Sequence, residues 1–221
     1  MRAWQENEPK GQIRKVLDVI FHSELFRAQG ASMQKVKTPF EFTASAIRAL
    51  RSLLPDGSLT AQTDGYSLRT PMTRMGRMRL FDRDTPDGYP EAAAPWISAG
   101  TLMERLRFVQ AFLMKPTEIG KIDSALISFS DPVKLLKAKL PQSAWKDANI
   151  VASYFLNILF PAEGKANLDR YHSQAISYLN TADDGFAGSP FGTLVDTSTI
   201  YDDRVRGMVA MLMTFQRFQE Q

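Results

Sequence analysis

The sequence predicts an all-α fold, an irregular bundle of about seven or eight helices with two long loops, at about residues 82–97 and 181–199. Apolar residues recur at three- and four-residue steps through most of the chain of 221 residues. Threonine or aspartate followed by proline marks several helix starts. No stretch alternates polar and apolar residues between turns, as a half-buried strand would. We therefore expect a single helical domain over residues 1–221.

The first part of the chain contains two well-marked helices. An apolar stripe that begins at Ile13 predicts a helix ending near Gly30. Residues 38–41, Thr-Pro-Phe-Glu, supply an N-cap hydroxyl, a proline in the first turn and a glutamate that completes a capping box. This segment predicts a second helix from Pro39 towards Leu53.

A polar loop and a short helix follow. The polar run at residues 60–67 predicts a loop, and Thr70-Pro71 opens a shorter helix. Two prolines and a glycine then prevent regular structure between Asp82 and Glu91. We interpret the methionines of this region and of later helices as adaptable core packing: Met72, Met75, Met78, Met103, Met208, Met211 and Met213.

Five further helices are predicted after the first long loop. Their starts are expected near Thr101, Asp131, Trp145, Leu168 and Tyr201. Thr101 and Glu104 have the spacing of a capping box. The Gly/Ser/Pro-rich segment 183–190 predicts the second long loop, just before the last helix.

The composition excludes several kinds of chemistry. The chain has no cysteine, which excludes disulfides, zinc sites built on thiolates, cysteine-held iron–sulfur clusters and a cysteine nucleophile. Its two histidines, His22 and His172, each stand alone on a predicted helix. We therefore expect no resident metal and no cofactor.

Charge and hydropathy argue against two classes of partner. A net charge of +3 is too small to indicate nucleic-acid binding. The most apolar stretch near the C-terminus, residues 205–215, is interrupted by Arg206 and Gly207 and is far shorter than the roughly 20 residues of a membrane span. The charged N-terminal residues, with Pro9 among them, carry no visible export signal. We expect no nucleic-acid partner and no membrane span.

Acidic residues in the first long loop superficially suggest a cation site. Asp82, Asp84, Asp87 and Glu91 stand close together on irregular backbone, and hard cations prefer converging carboxylates. The spacing does not fit a calcium loop, because Thr85 and a proline intervene where alternate carboxylates are needed. Aspartates that cap turn N–H groups are the favoured interpretation.

An arginine-rich segment precedes this loop. Five arginines lie at Arg69, Arg74, Arg77, Arg79 and Arg83, a density that would bind phosphate, sulfate or carboxylate through bidentate contacts. Acidic residues are interleaved with the last of them. Internal ion pairing is therefore favoured over an anion site.

The stretch Pro-Asp-Gly-Tyr-Pro at residues 86–90 is stiff and gives Tyr89 a fixed backbone. Aromatic faces beside carboxylates suit sugar rings, but they equally suit packing of the loop onto the following helix. The candidate binding residues are Asp84, Asp87, Gly88, Tyr89, Trp96 and Arg105.

Four segments together resemble the C-terminal half of a bacterial family known as domain of unknown function 1800. They are residues 35–43 (KVKTPFEFT), 84–90 (DTPDGYP), 96–98 (WIS) and 105–108 (RLRF). Residues 11–26 and 204–221 also look like their family equivalents. The resemblance implies an exported protein, periplasmic or extracellular, encoded beside a sulfatase-like partner protein. It implies no established activity, and it predicts that this chain is the C-terminal portion of a longer architecture.

Two functions remain open at this point. The first is a non-catalytic binding or assembly module, with a carbohydrate or the sulfatase-like protein as its partner. The second is a hydrolase acting on a polysaccharide or sulfated sugar. It would use Asp84, Asp87 and Arg105 in a cleft beside Tyr89 and Trp96, with the two carboxylates across a groove.

Overall fold

The computed structural model describes residues 13–24, 26, 35–83, 85–90, 92–113, 128–161 and 163–220. Within these ranges the chain forms nine α-helices and one short strand pair. The helices are α1 (Ile13–Phe21), α2 (Pro39–Leu50), α3 (Arg69–Arg74), α4 (Ala99–Leu113), α5 (Pro132–Lys139), α6 (Ala148–Leu159), α7 (Lys165–Leu179), α8 (Thr199–Thr214) and α9 (Gln216–Gln219). The strands are β1 (Ala61–Gln62) and β2 (Phe129–Ser130). The predicted all-α, irregular bundle is confirmed.

Two long connections interrupt the bundle where the sequence predicted loops. Residues 75–98 separate α3 from α4, and residues 180–198 separate α7 from α8. Each connection includes a short 3-10 turn. A bridge between Thr181 and Gly188 closes the second connection on itself.

The sheet is too short to be seen as alternation in the sequence. β1 lies inside the polar run that was predicted to be a loop, and it pairs antiparallel with β2, with Ala61 opposite Ser130. Buried hydroxyl groups satisfy the backbone beside it: Thr60 Oγ1 donates to the carbonyl oxygen of Leu50 at 2.6 Å. Two polar residues of this run, Thr60 and Ser67, are thus buried hydrogen-bonding groups of the fold.

Side-chain caps set the helix starts. The predicted capping box of α2 is confirmed, since Thr38 and Glu41 bond each other's backbone N–H groups. The predicted start of α4 at Thr101 is two residues late. The backbone N–H of Ser98 donates to Thr101 Oγ1 at 2.8 Å, and that of Thr101 donates to Ser98 Oγ at 3.2 Å. Because Ser98 is the capping residue, α4 begins at Ala99.

The starts of α6 and α8 differ from the prediction for the same reason. The Asp147 carboxylate accepts hydrogen bonds from two N–H groups of the first turn of α6, so this helix starts after Asp147 and not at Trp145. Ser198 Oγ accepts from the N–H of Tyr201, so α8 begins at Thr199. α1 ends at Phe21, short of the predicted Gly30, which lies outside the described residues.

Most of the methionines pack in the core as predicted. Met72, Met75, Met78, Met208 and Met213 are buried. Met103 is 64% exposed on α4, so the core interpretation is wrong for this residue.

The core is built around α8. This helix packs against α4, α5, α6 and α7, and its inward side chains are fully buried: Tyr201, Val205, Met208, Val209, Leu212 and Met213. A helix surrounded by other helices buries most of its circumference. α8 therefore positions the connections on either side of it.

Three buried arginines join irregular backbone to the helices. Arg206 of α8 donates from Nη1 to the carbonyl oxygens of Leu113 (3.0 Å) and Ser130 (2.9 Å). The same guanidinium pairs with Asp202 at 2.9 Å and Asp131 at 3.2 Å. Arg204, also on α8, and Arg105, on α4, likewise donate to carbonyl oxygens of distant segments. These carbonyl groups would otherwise be buried without a partner.

Replacing Arg206 by methionine should destabilise the fold by about 3 kcal/mol, because two buried carbonyls lose their donor and two carboxylates lose their counter-charge. The free energy of unfolding in urea measures this. Arg170→Met, at an exposed position on α7, is the matched control and should change it by less than about 0.5 kcal/mol. Equal effects of the two substitutions would contradict the role given to Arg206.

Candidate functional site

The segment after α3 holds its arginines on irregular but well-anchored backbone. α3 ends at Arg74, because Gly76 adopts φ 152°, a conformation that other residues rarely adopt. A side chain at Gly76 would also come within 2.8 Å of the Trp96 ring. Met75 and Met78 remain buried beyond the helix end. The buried methionines thus anchor the segment, while the arginines between and after them are exposed.

Tyr89 fixes the backbone of this segment through its hydroxyl group. Its hydroxyl accepts a hydrogen bond from the backbone N–H of Arg79 and donates to the carbonyl oxygen of Arg79, both at 2.7 Å. The centre of its ring lies 5.0 Å from the Arg83 guanidinium and 6.2 Å from the centre of the Trp96 ring. Trp96 is itself fixed, because its Nε1 donates to the carbonyl oxygen of Pro90 at 2.8 Å. Tyr89 therefore positions both Arg79 and Arg83.

Two adjoining cavities open on this surface. One, of about 370 Å³, is lined by Tyr66, Arg69, Arg79 and Asp82 among others. The other, of about 490 Å³, is lined by Arg77, Arg79, Asp82, Arg83 and Tyr89 among others. Arg79 and Asp82 border both cavities. We call this surface, formed by Arg69, Arg77, Arg79 and Arg83 with Tyr66, Asp82 and Tyr89, the arginine groove.

The charges of the arginine groove are only partly compensated. Arg79 lies 3.5 Å from Asp82, and Arg83 lies 3.5 Å from Asp87, in two exposed pairs. Among the described residues, Arg69 and Arg77 form no ion pair. Internal pairing, which the sequence favoured for the five arginines of this segment, thus accounts for two of the four that form the groove. Counted over the described residues, the groove retains excess positive charge.

The backbone of the groove is strained at two places. Arg77 has φ 58° and Phe81 has φ 60°. They are the non-glycine residues with positive φ in the described part of the chain. Such a conformation costs a side-chain-bearing residue roughly 1–2 kcal/mol, and it is typical of functional loops. Phe81 is fully exposed.

Of the predicted binding residues, Tyr89 lines this groove, whereas Asp87 and Gly88 precede it in the chain without lining either cavity. Asp87 accepts a hydrogen bond from Thr85 Oγ1 and lies beside Arg83. The hydrogen bond from Thr85, and to a smaller extent the charge of Arg83, hold the pKa of the Asp87 carboxyl below its usual range. Gly88 has φ 73°, which lets the chain turn before Tyr89. Tyr89 lines the groove and stacks near Trp96. Asp84 lies outside the described residues.

Arg105 has a different position. It is buried, with 1% of its surface exposed, and donates to Gln219 Oε1 at 3.1 Å and to the carbonyl oxygen of Lys37 at 2.6 Å. Its guanidinium lies 4.9 Å from the centre of the Phe42 ring. Burial lowers the pKa of Arg105 to about 10. Neither Arg105 nor the buried Trp96 lines the two cavities, and ligand contact by either residue stays a prediction.

Tyr66 and Arg79 were not among the binding residues predicted from the sequence, although Arg79 belongs to the arginine-rich segment. Tyr66 falls in the polar run taken as a loop, and it is 74% exposed at the mouth of the groove. Arg79 was one of five similar arginines, and nothing local distinguishes it. The distinguishing contact comes from Tyr89, ten residues further along the chain.

Comparison with known proteins places the chain in a family. The family model described as "Protein of unknown function (DUF1800)" matches residues 1–219. The chain belongs to this family. No curated protein and no solved structure matches the chain significantly. That the chain corresponds to the C-terminal half of the DUF1800 architecture stays a prediction.

Four further questions about this DUF1800 chain concern a metal site, its histidines, a membrane span and the hydrolase hypothesis. In the described ranges, no three acidic or histidine residues converge in a way that could hold a metal ion, and Asp84 and Glu91 of the acidic loop fall outside those ranges. His22 Nδ1 lies 2.8 Å from the carbonyl oxygen of Asp18, one turn earlier on the chain. Over the same ranges, no helix is both long enough and apolar enough to cross a bilayer. The hydrolase hypothesis, which needs Asp84, stays a prediction.

Next to Arg105, the DUF1800 chain holds a second cation in a partly buried position. Lys37 Nζ donates to the carbonyl oxygen of Phe218 at 2.7 Å and lies 4.3 Å from the centre of its ring. Burial, and then repulsion from Arg105, lower the pKa of Lys37 to about 8. Two cations therefore share one region between α2, α4 and α9.

This arrangement predicts a pH dependence of stability. Because the folded pKa of Lys37 lies below its value in the unfolded chain, the unfolded chain binds more protons above about pH 8, and stability should rise with pH from there. We expect the free energy of unfolding to increase by the order of 1 kcal/mol between pH 7 and about pH 9.5. Lys37→Met should abolish the increase and Lys35→Met should preserve it. A wild-type stability that falls over this interval would contradict the assignment.

Proposed function

We propose that this DUF1800 chain is a non-catalytic binding module for a sulfated saccharide, with the arginine groove as its binding surface. The observation that carries the proposal is the pair of adjoining cavities, which four arginines and one described carboxylate, Asp82, line. Guanidinium groups match planar pairs of sulfate oxygens and remain charged at all physiological pH values. Their spacing along a groove, instead of around one point, suits a ligand that carries several anionic groups.

The charge balance supports an anionic ligand. Asp82 is the carboxylate that borders the cavities within the described ranges, and its contact with Arg79 is long and exposed, with 51% of the Arg79 side chain and 58% of the Asp82 side chain accessible. Exposed pairs of this kind contribute roughly 0–1 kcal/mol and separate readily. A sulfate group could therefore replace Asp82 as the partner of Arg79 at small cost. Arg69 and Arg77 would bind without losing any ion pair to a described residue.

The uncharged surroundings support a saccharide over a small inorganic anion. Tyr66, 74% exposed, offers a free aromatic face at one end of the groove, and aromatic faces pack against the apolar faces of sugar rings. Tyr89 is less accessible than Tyr66, and its ring already has two neighbours, the Arg83 guanidinium and the Trp96 ring. We therefore assign Tyr66 the stacking role that the sequence suggested for Tyr89.

The sulfatase-like partner implied by the family resemblance fits the same chemistry. A protein that acts on sulfate esters would share its substrate with a module that binds sulfated chains. Assembly of the two would raise the local concentration of substrate through tethering. In this proposal the present chain supplies binding, and the partner supplies any reaction.

Titration calorimetry with a heparin-derived tetrasaccharide and its desulfated counterpart tests the proposal. We expect Arg69→Ala together with Arg77→Ala to weaken binding of the sulfated form by at least about tenfold, because each removes a charge-assisted contact. Binding should also weaken as salt is raised. Arg51→Ala, at an exposed arginine after α2, is the control and should bind like wild type.

Two results would contradict the proposal. One is equal affinity for the sulfated and desulfated tetrasaccharides. The other is equal weakening by the Arg51 control and by the groove variant, which would indicate attraction by overall charge alone. Circular dichroism of each variant separates loss of binding from loss of fold.

A further inference from the structure

A separate cavity lies at the other long connection. It has a volume of about 580 Å³ and is formed by α7, the start of the 180–198 connection and α8. Ligand pockets typically have volumes of roughly 300–1,000 Å³. Its lining includes Gln174, Tyr178, Asp183, Asp203, Met211 and Phe215. None of these residues belongs to the arginine groove.

The wall of the cavity is built by close packing of Tyr178 on α8. A side-chain carbon at Gly207 would overlap the Tyr178 hydroxyl and its ring. Glycine inside a helix costs about 1 kcal/mol relative to alanine. At position 207 it lets the Tyr178 side chain pack directly against the backbone of α8. Tyr178 remains 40% exposed towards the cavity. The Phe215 ring is held in turn by Tyr171, with ring centres 4.9 Å apart.

Arg204 fixes the polar side of the cavity. Its Nη1 donates to the carbonyl oxygens of Leu179 (3.1 Å) and Ser189 (2.7 Å), so it joins the end of α7 to the far side of the loop. Its Nε is buried without a hydrogen-bond partner in the described structure and lies 3.9 Å from Asp183 Oδ1. The buried guanidinium thus attracts Asp183 to the cavity edge and offsets its charge.

The cavity combines hydrogen-bond acceptors with apolar surface. Burial raises the pKa of the Tyr178 hydroxyl, and Asp183 and Asp203 raise it further, since both carboxylates lie near it. Gln174 adds an amide that both donates and accepts. Met211 and Phe215 supply the apolar wall. Carboxylates and amides that converge beside an aromatic ring bind vicinal hydroxyl groups, because each hydroxyl can donate to one and accept from another.

We propose that this cavity is a second ligand site, which binds one uncharged, hydroxyl-rich sugar ring. The ring would pack on Phe215 and Met211 and donate hydrogen bonds to Asp183 and Asp203. Arg204 also lines the cavity but is only 5% exposed, and we assign it a positioning role because it holds Asp183 at the cavity edge. The site differs from the arginine groove in charge, since two carboxylates and a single, largely buried guanidinium line it.

Chemical-shift mapping on the full chain tests the site, with the methyl glycosides of glucose, galactose, mannose and N-acetylglucosamine as probes. At least one glycoside should shift the ring resonances of Tyr178 and Phe215. Asp183→Asn should weaken that binding by about tenfold, because a charge-assisted acceptor is lost. Asp169→Asn, an exposed acid on α7 that does not line the cavity, should leave it within about twofold.

A second variant and a second probe keep the test decisive. Met211→Trp should fill the cavity and remove binding while the protein stays folded by circular dichroism. Putrescine is the competing probe for a cationic ligand. The proposal is overturned if none of the four glycosides shifts the two rings, if putrescine shifts them and the glycosides do not, or if binding survives Met211→Trp. Binding of the sulfated tetrasaccharide to the arginine groove is measured independently, so either proposal can fail alone.

Discussion

Hydrogen bonds from buried guanidinium groups to backbone carbonyls are the interaction on which the rest of this structure depends. Long irregular connections leave many carbonyl groups without helical partners, and a buried carbonyl without a donor is costly. Arg204 and Arg206 extend from α8, and Arg105 extends from α4, to satisfy such groups. Arginine suits this task because one planar group carries five donors.

The same three contacts explain how a helical bundle carries two candidate binding surfaces on its loops. Arg206 joins the end of α4 to β2, and Arg204 joins the end of α7 to Ser189. Because their ends are fixed, the connections need few buried apolar side chains of their own and can expose polar side chains. The arginine groove is held differently, by the hydroxyl of Tyr89 and by buried methionines. Rigid support beneath exposed charged groups is what a binding surface requires.

Much of the fold followed from the sequence because helix starts and apolar stripes are local features. The capping box at Thr38 and the proline at position 132 mark α2 and α5 correctly. The start of α4 was misplaced, since Ser98 and Thr101 both have capping side chains and only the packed chain selects between them. β1 and β2 are too short for any periodic pattern.

The candidate site was harder to predict, because the two kinds of arginine look alike in sequence. Arg105 was expected in a cleft and is buried against Phe42, whereas Arg77 was expected to pair internally and forms no ion pair with a described residue. The difference is decided by contacts from remote positions such as Gln219 and Tyr89. Single-sequence reasoning identifies the segment but not which charges remain available to a ligand.

The central claim is that buried arginines carry stability and groove arginines carry binding. Thermal unfolding of wild type, Arg206→Lys and Arg77→Lys, each with and without the sulfated tetrasaccharide, tests it most directly. Arg206→Lys should lower the Tm of the free protein by several degrees and keep the increase caused by the ligand. Arg77→Lys should keep the free Tm and lose most of that increase. A reversed pattern, or loss of both properties in both variants, would contradict the claim.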